Sequence, residues 1–141
     1  MSVTRRAATL AWGAMLVVPF LFLAVAATAR WRVGPPDAVA LLFWATVALS
    51  LVNVTFSRVL PPRLGPFRAG REATAFGRLL VAWALCESAA MFPLVAWIIS
   101  GDTRLIGVFG ADLLALVLLY PSDHRWASLA PDHDPAPGRV R

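Results

Sequence analysis

The sequence predicts an all-α fold, an integral membrane four-helix bundle with short loops and a disordered polar C-terminal tail. Apolar residues make up 59% of the chain and charged residues only 15%, against roughly 25% charged in an average soluble domain. The charges are also segregated, so that long apolar runs alternate with short basic connections, the pattern of a chain that crosses a bilayer repeatedly. All thirteen basic residues are arginine, and they gather at the ends of the apolar runs, where anionic headgroups and the orientation rule account for them. Nucleic acid is therefore not an expected partner; the lipid bilayer is, with other membrane proteins or a second copy as further partners. The absence of lysine beside abundant Ala, Arg, Gly and Pro fits a high-GC bacterial genome and hence an inner-membrane location.

The first run, Ala7 to Ala29, follows Arg5 and Arg6 and holds 23 residues, more than the ~20 that span a hydrocarbon core. Ala24-Val25-Ala26 and Ala27-Thr28-Ala29 each resemble a signal-peptide cleavage site, but the run exceeds the ~7–15 residues of a signal core, so a retained helix is expected. Pro35 and Pro36 break the chain before the second run, Asp37 to Leu60, and Asp37 suits the N-terminal end of a helix dipole. A proline- and glycine-rich connection with Arg63, Arg68 and Arg71 leads into the third run, Ala73 to Ser100. A tight turn at Gly101 to Arg104 opens the fourth, Leu105 to Tyr120. The predicted units are thus a transmembrane domain over 1–121, with helices at about 7–29, 37–60, 73–100 and 105–120, and a tail over 122–141.

Ten arginines fall on one side of this topology (Arg5, Arg6, Arg58, Arg63, Arg68, Arg71, Arg78, Arg125, Arg139, Arg141) and three on the other (Arg30, Arg32, Arg104). The asymmetry places both termini and the central loop in the cytoplasm. Trp31 and Trp97 then mark the outer interface, and Tyr120 and Trp126 the inner one. Arg78 is expected to snorkel toward the headgroups.

Two acids lie within apolar runs. A charged Asp at a helix centre costs ~2.5–3.5 kcal/mol, while each Leu, Ile, Phe or Val returns only ~0.3–0.6 kcal/mol. The fourth run holds ten such residues, so Asp112 cancels most of its gain. Counted from the turn, Glu87 lies ~22 Å back and Asp112 ~16 Å forward, within about one helical turn in depth. Turned inward, the two carboxyls are expected to meet and share a proton, since both cannot ionise cheaply in a low dielectric. Asn53 and Ser88 are expected to add polar partners, and Pro93 frees the Ala89 carbonyl one turn beyond Glu87. Such a group serves either as interhelical glue or as a proton or cation site. The leading expectation is a non-enzymatic structural or assembly component; the alternative is a proton- or cation-linked transport component using Glu87 and Asp112.

The stretch Ala84-Leu85-Cys86-Glu87-Ser88-Ala89-Ala90-Met91-Phe92-Pro93-Leu94-Val95 resembles the carboxylate helix of the proteolipid subunit c of rotary ATP synthases. That resemblance implies that Glu87 corresponds to an ion-binding carboxylate. It covers about sixteen of the 141 residues. Pro93 stands where that family has glycine, the second run lacks a Gly-x-Gly-x-Gly pattern, and the loop lacks Arg-Gln-Pro. As a whole the chain more closely resembles small four-span bacterial membrane proteins with no assigned activity. No phosphate-binding glycine loop, His-Glu-x-x-His or Ser-His-Asp set is present, so no cofactor, metal or catalytic residue is expected. Cys86 reads as a small buried apolar residue, and His124 and His133 as parts of a solvated tail. Gly107, Ala111 and Ala115, spaced by four, allow close helix approach.

Reporter fusions after Arg68 and after Arg141 are both expected to report cytoplasm. A periplasmic signal from either one contradicts the topology.

Overall fold

The computed structural model describes residues 3–28, 35–65 and 70–130. Among these, every regular element is helical: α1 (Val3–Thr28), α2 (Pro36–Val59), a 3₁₀ turn (Pro61–Arg63), α3 (Arg71–Ser100), α4 (Arg104–Val117) and α5 (Asp123–Leu129). Three of them, α1, α2 and α3, are long and apolar enough to cross a membrane. The first three expected helices thus appear within a few residues of their expected bounds.

The fourth run differs. Its helix has 14 residues, about 21 Å at 1.5 Å per residue, short of a ~30 Å hydrocarbon core. It stops because the chain tightens into a turn, Leu119 N–H bonding to Leu116 O at 3.1 Å and Tyr120 N–H to Val117 O at 3.1 Å, and Pro121 then prevents continuation. The tail also differs over its first part. Residues 123–129 form α5, whose N-cap Ser122 accepts a hydrogen bond from Arg125 N–H, as capping serines do. The rest of the tail, 131–141, and Trp31 lie outside the described residues.

The centre of the bundle is α3, which packs against all four other helices. Half of its most apolar stretch is buried, against 11% for α1 and α2, whose large apolar side chains face outward. Two glycines with positive φ bracket it. Gly70 precedes it at φ 98° and Gly101 ends it at φ 70°, donating to Trp97 O at 2.8 Å, where a side chain would be strained. Pro93 is fully buried within α3, and the helix continues through it, as helices in apolar surroundings tolerate.

Tryptophans fix the return leg. Trp83 Nε1 donates to Leu119 O at 3.0 Å and Trp12 Nε1 to Leu116 O at 3.2 Å, supplying partners to carbonyls at and just beyond the end of α4. Trp83 and Leu119 each lie 18 residues from Gly101, so the α3–α4 hairpin closes in symmetric register.

Arg78 does not snorkel. It is 9% exposed, and its guanidinium donates to Leu64 O from Nη2 at 2.6 Å and from Nε at 3.2 Å, and to Leu129 O from Nη1 at 2.6 Å. The side chain was within reach of backbone carbonyls left open by the connection before α3 and by the end of α5, and a multiply bonded guanidinium outcompetes a solvated one there. Arg5 and Asp123 form an ion pair between α1 and α5. The start of α1, the end of α2, the start of α3 and all of α5 therefore share one end of the bundle.

Arg78→Gln is expected to release α5. The buried Leu129 carbonyl left without its donor costs about 1–3 kcal/mol, so trypsin cleavage at Arg125 should accelerate strongly. Arg71→Gln, altering an exposed side chain, should leave that cleavage rate unchanged.

Candidate functional site: a carboxyl in the α2–α4 groove

The buried stripe of α4 consists of Leu105, Phe109, Asp112, Ala115 and Leu116, the i, i+4, i+7 spacing of a core-facing helix. Asp112 thus occupies a position otherwise given to apolar side chains. It is 4% exposed. Opposite it runs α2, which buries three residues, Thr46, Ser50 and Ser57. All three carry small hydroxyls, because a helix whose large apolar side chains turn outward packs through its small ones. Thr46 Oγ1 bonds to Leu42 O at 2.8 Å and Ser57 Oγ to Val54 O at 2.7 Å, each satisfied within its own helix. Cys86 is buried and donates to Ser57 Oγ at 3.2 Å.

Ser50 has no such partner. Its hydroxyl faces the Asp112 carboxyl and makes a weak hydrogen-bonding contact with it, one that falls short of the geometry of a closed bond. Ser50 Oγ and Asp112 Oδ2 are both buried, and neither makes a closed hydrogen bond. They line a groove of about 450 Å³ between α2 and α4, together with Val54, Gly107, Ala111 and Arg104. The groove is open at Gly107, where an added Cβ would meet nothing within 4 Å.

Arg104 stands at one end of this groove but is already committed. Its Nε lies 3.0 Å from both oxygens of Asp102 and its Nη2 2.7 Å from Oδ2. Its guanidinium also sits 4.5 Å from the centre of the Phe43 ring, a cation–π contact with α2. The hydrogen bonds from Arg104 hold the Asp102 carboxyl below the usual carboxylate range, and the same bonds raise Arg104. This fork stays doubly charged at neutral pH, so Arg104 is not free to neutralise Asp112.

The other expected site residues lie apart from Asp112. Glu87 is half-buried on α3, and among the described residues no hydrogen bond joins it to Asp112. Nearness in depth does not close the pair, because azimuth around the helix axis decides contact and Asp112 turns toward Ser50 of α2. Asn53 Nδ2 donates to Leu49 O of its own helix at 3.1 Å, and Ser88 is exposed. No group of three metal-ligating side chains occurs among the described residues. Sequence reasoning missed Ser50; the signal was the Thr46, Ser50, Ser57 spacing along α2.

Searches against protein-family models, curated proteins and solved structures find no match to this chain.

Asp112→Leu is expected to raise the thermal midpoint of the isolated protein in detergent, since removing an unsatisfied buried polar group relieves roughly 1–3 kcal/mol. Asp112→Asn should leave the midpoint near that of the wild type. A lower midpoint for the Leu variant contradicts the unpartnered state of the carboxyl.

Proposed function

We propose that the chain is a polytopic inner-membrane protein, with α1, α2 and α3 crossing the bilayer, the shorter α4 returning alongside α3, and both termini in the cytoplasm. The ion pair of Arg5 with Asp123 and the clamp of Arg78 on Leu64 and Leu129 support this, since they hold the start of α1, α5 and the central connection at one end of the bundle. Arg5, Arg6, Arg58, Arg63, Arg71, Arg78 and Arg125 belong to that end, and of the described arginines only Arg104 belongs to the other. The positive-inside rule then faces the arginine-rich end to the cytoplasm.

Within that membrane the protein serves as a non-enzymatic assembly component that pairs with a second copy through the α2–α4 groove. The observation behind this reading is Asp112, a buried carboxyl whose Oδ2 makes no closed hydrogen bond and which lines the groove. An acyl chain in the groove would leave that oxygen unsatisfied, a costly state away from water. Two copies inserted in the same direction place Asp112 at the same depth on both sides of a two-fold axis. A carboxyl pair sharing protons is both donor and acceptor, so each copy completes the other. Gly107 and Ala111 let the two α4 helices approach closely.

A second reading, proton or cation handling, draws on the same carboxyl because the groove gives it an access route. Exchange of a proton requires an acid and fails with an amide, whereas pairing tolerates the amide.

Ala111→Cys is expected to give a disulfide-linked dimer on oxidation in membranes, well above Val25→Cys on the exposed face of α1. Adding Gly107→Leu should abolish the cross-link without lowering expression. Equal cross-linking at positions 111 and 25, or a dimer that survives Gly107→Leu, overturns the pairing. A dimer intact in Asp112→Asn but inactive in the cell favours the ion-handling reading.

A further inference from the structure

A second cavity, of about 310 Å³, lies at the arginine-rich end between the last turn of α2, the first half of α3 and α5. Two guanidiniums converge on it from different elements, Arg58 from α2 and Arg125 from α5, with His124 and Ser128 beside them and Leu79 and Leu119 as an apolar floor. Neither guanidinium has an ion-pair partner among the described residues. The acid closest in sequence, Asp123, is paired with Arg5. Burial and the positive charge of Arg58 pull Arg125 below the ordinary arginine value. The pocket therefore concentrates unbalanced positive charge above an apolar surface.

We propose that this pocket binds the phosphate of an anionic membrane lipid, with Arg58 and Arg125 as the phosphate donors and the acyl chains lying along the exposed Phe56, Val59 and Leu60 beside Arg58. Guanidiniums match phosphate oxygens with paired N–H donors, and basic pockets between helices on the cytoplasmic side suit anionic headgroups. The lipid, rather than a free phosphate, is indicated by the surroundings. Phe56, Val59 and Leu60 are exposed apolar residues flanking Arg58, so the site lies where apolar helix surface gives way to charge. The inference rests on the chain spanning a membrane, but not on its pairing.

The experiment is native mass spectrometry of the detergent-extracted full chain with added phosphatidylglycerol, phosphatidylcholine or inorganic phosphate. The wild type is expected to retain phosphatidylglycerol at least roughly tenfold better than phosphatidylcholine, whose choline cation offsets its phosphate beside the two guanidiniums, and to be unaffected by millimolar phosphate. Arg58→Gln with Arg125→Gln should bring the two lipids to parity. Arg63→Gln with Arg71→Gln, removing the same charge outside the pocket, should keep the preference. Equal retention of the lipids by the wild type, competition by inorganic phosphate, or a preference that persists in the Arg58/Arg125 double variant overturns the proposal. The wild-type measurement decides alone if that variant fails to fold. A chain that stays in the soluble fraction after lysis refutes the membrane reading instead.

Discussion

The guanidinium of Arg78 holds together segments that otherwise have little reason to meet. A carbonyl at the edge of an apolar bundle needs a donor, and both Leu64 and Leu129 find theirs in this one side chain. Because Arg78 stands on α3, the helix against which the others pack, the connection before α3 and the segment after α4 are fixed relative to the same axis. The position of α5 follows, and with α5 come Arg125 and the mouth of the basic pocket. A lysine would not serve as well here, since its compact ammonium lacks the planar fork that reaches carbonyls in two directions.

The opposite end of the bundle is governed by turn chemistry. Gly101 in the left-handed conformation reverses the chain, the Asp102–Arg104 fork stiffens the reversal, and Arg104 reaches Phe43 to tie the hairpin to α2. From there α4 has a single way back along α3, and the indole donors of Trp83 and Trp12 meet the carbonyls where it ends. Hydrogen-bonding side chains thus define both ends, while the middle is held by small residues. Thr46, Ser50 and Ser57 on α2 and a run of alanines on α3 permit close contact with little apolar bulk. That economy of packing is common where the surroundings are as apolar as the side chains and hydrophobicity does not favour one apolar contact over another.

This division explains what the sequence made legible. Hydropathy averaged over a run reports position along an axis, so α1, α2 and α3 and the reversal at Gly101 were readable. Depth was readable too, which is why Glu87 and Asp112 looked like partners. Azimuth was not, because several faces of α3 are apolar or small and nothing local says which one meets α4. The short α4 was hidden for a similar reason: Leu118 and Leu119 continue the apolar run although the backbone has already turned. Arg78 was misjudged because its acceptors, Leu64 and Leu129, are ordinary residues whose carbonyls leave no mark in sequence.

Asp112 remains the place where local consistency fails. Every other position on the buried face of α4 is apolar, and replacing one of them by a carboxyl brings desolvation cost without a formed bond in the single chain. Features that break the pattern of their own element concentrate at sites kept for function. Here the break is matched on the facing helix by Ser50, also buried and also without a closed hydrogen bond, and by the open space at Gly107. Under the proposed pairing, the partner that this carboxyl lacks within the chain comes from a second copy.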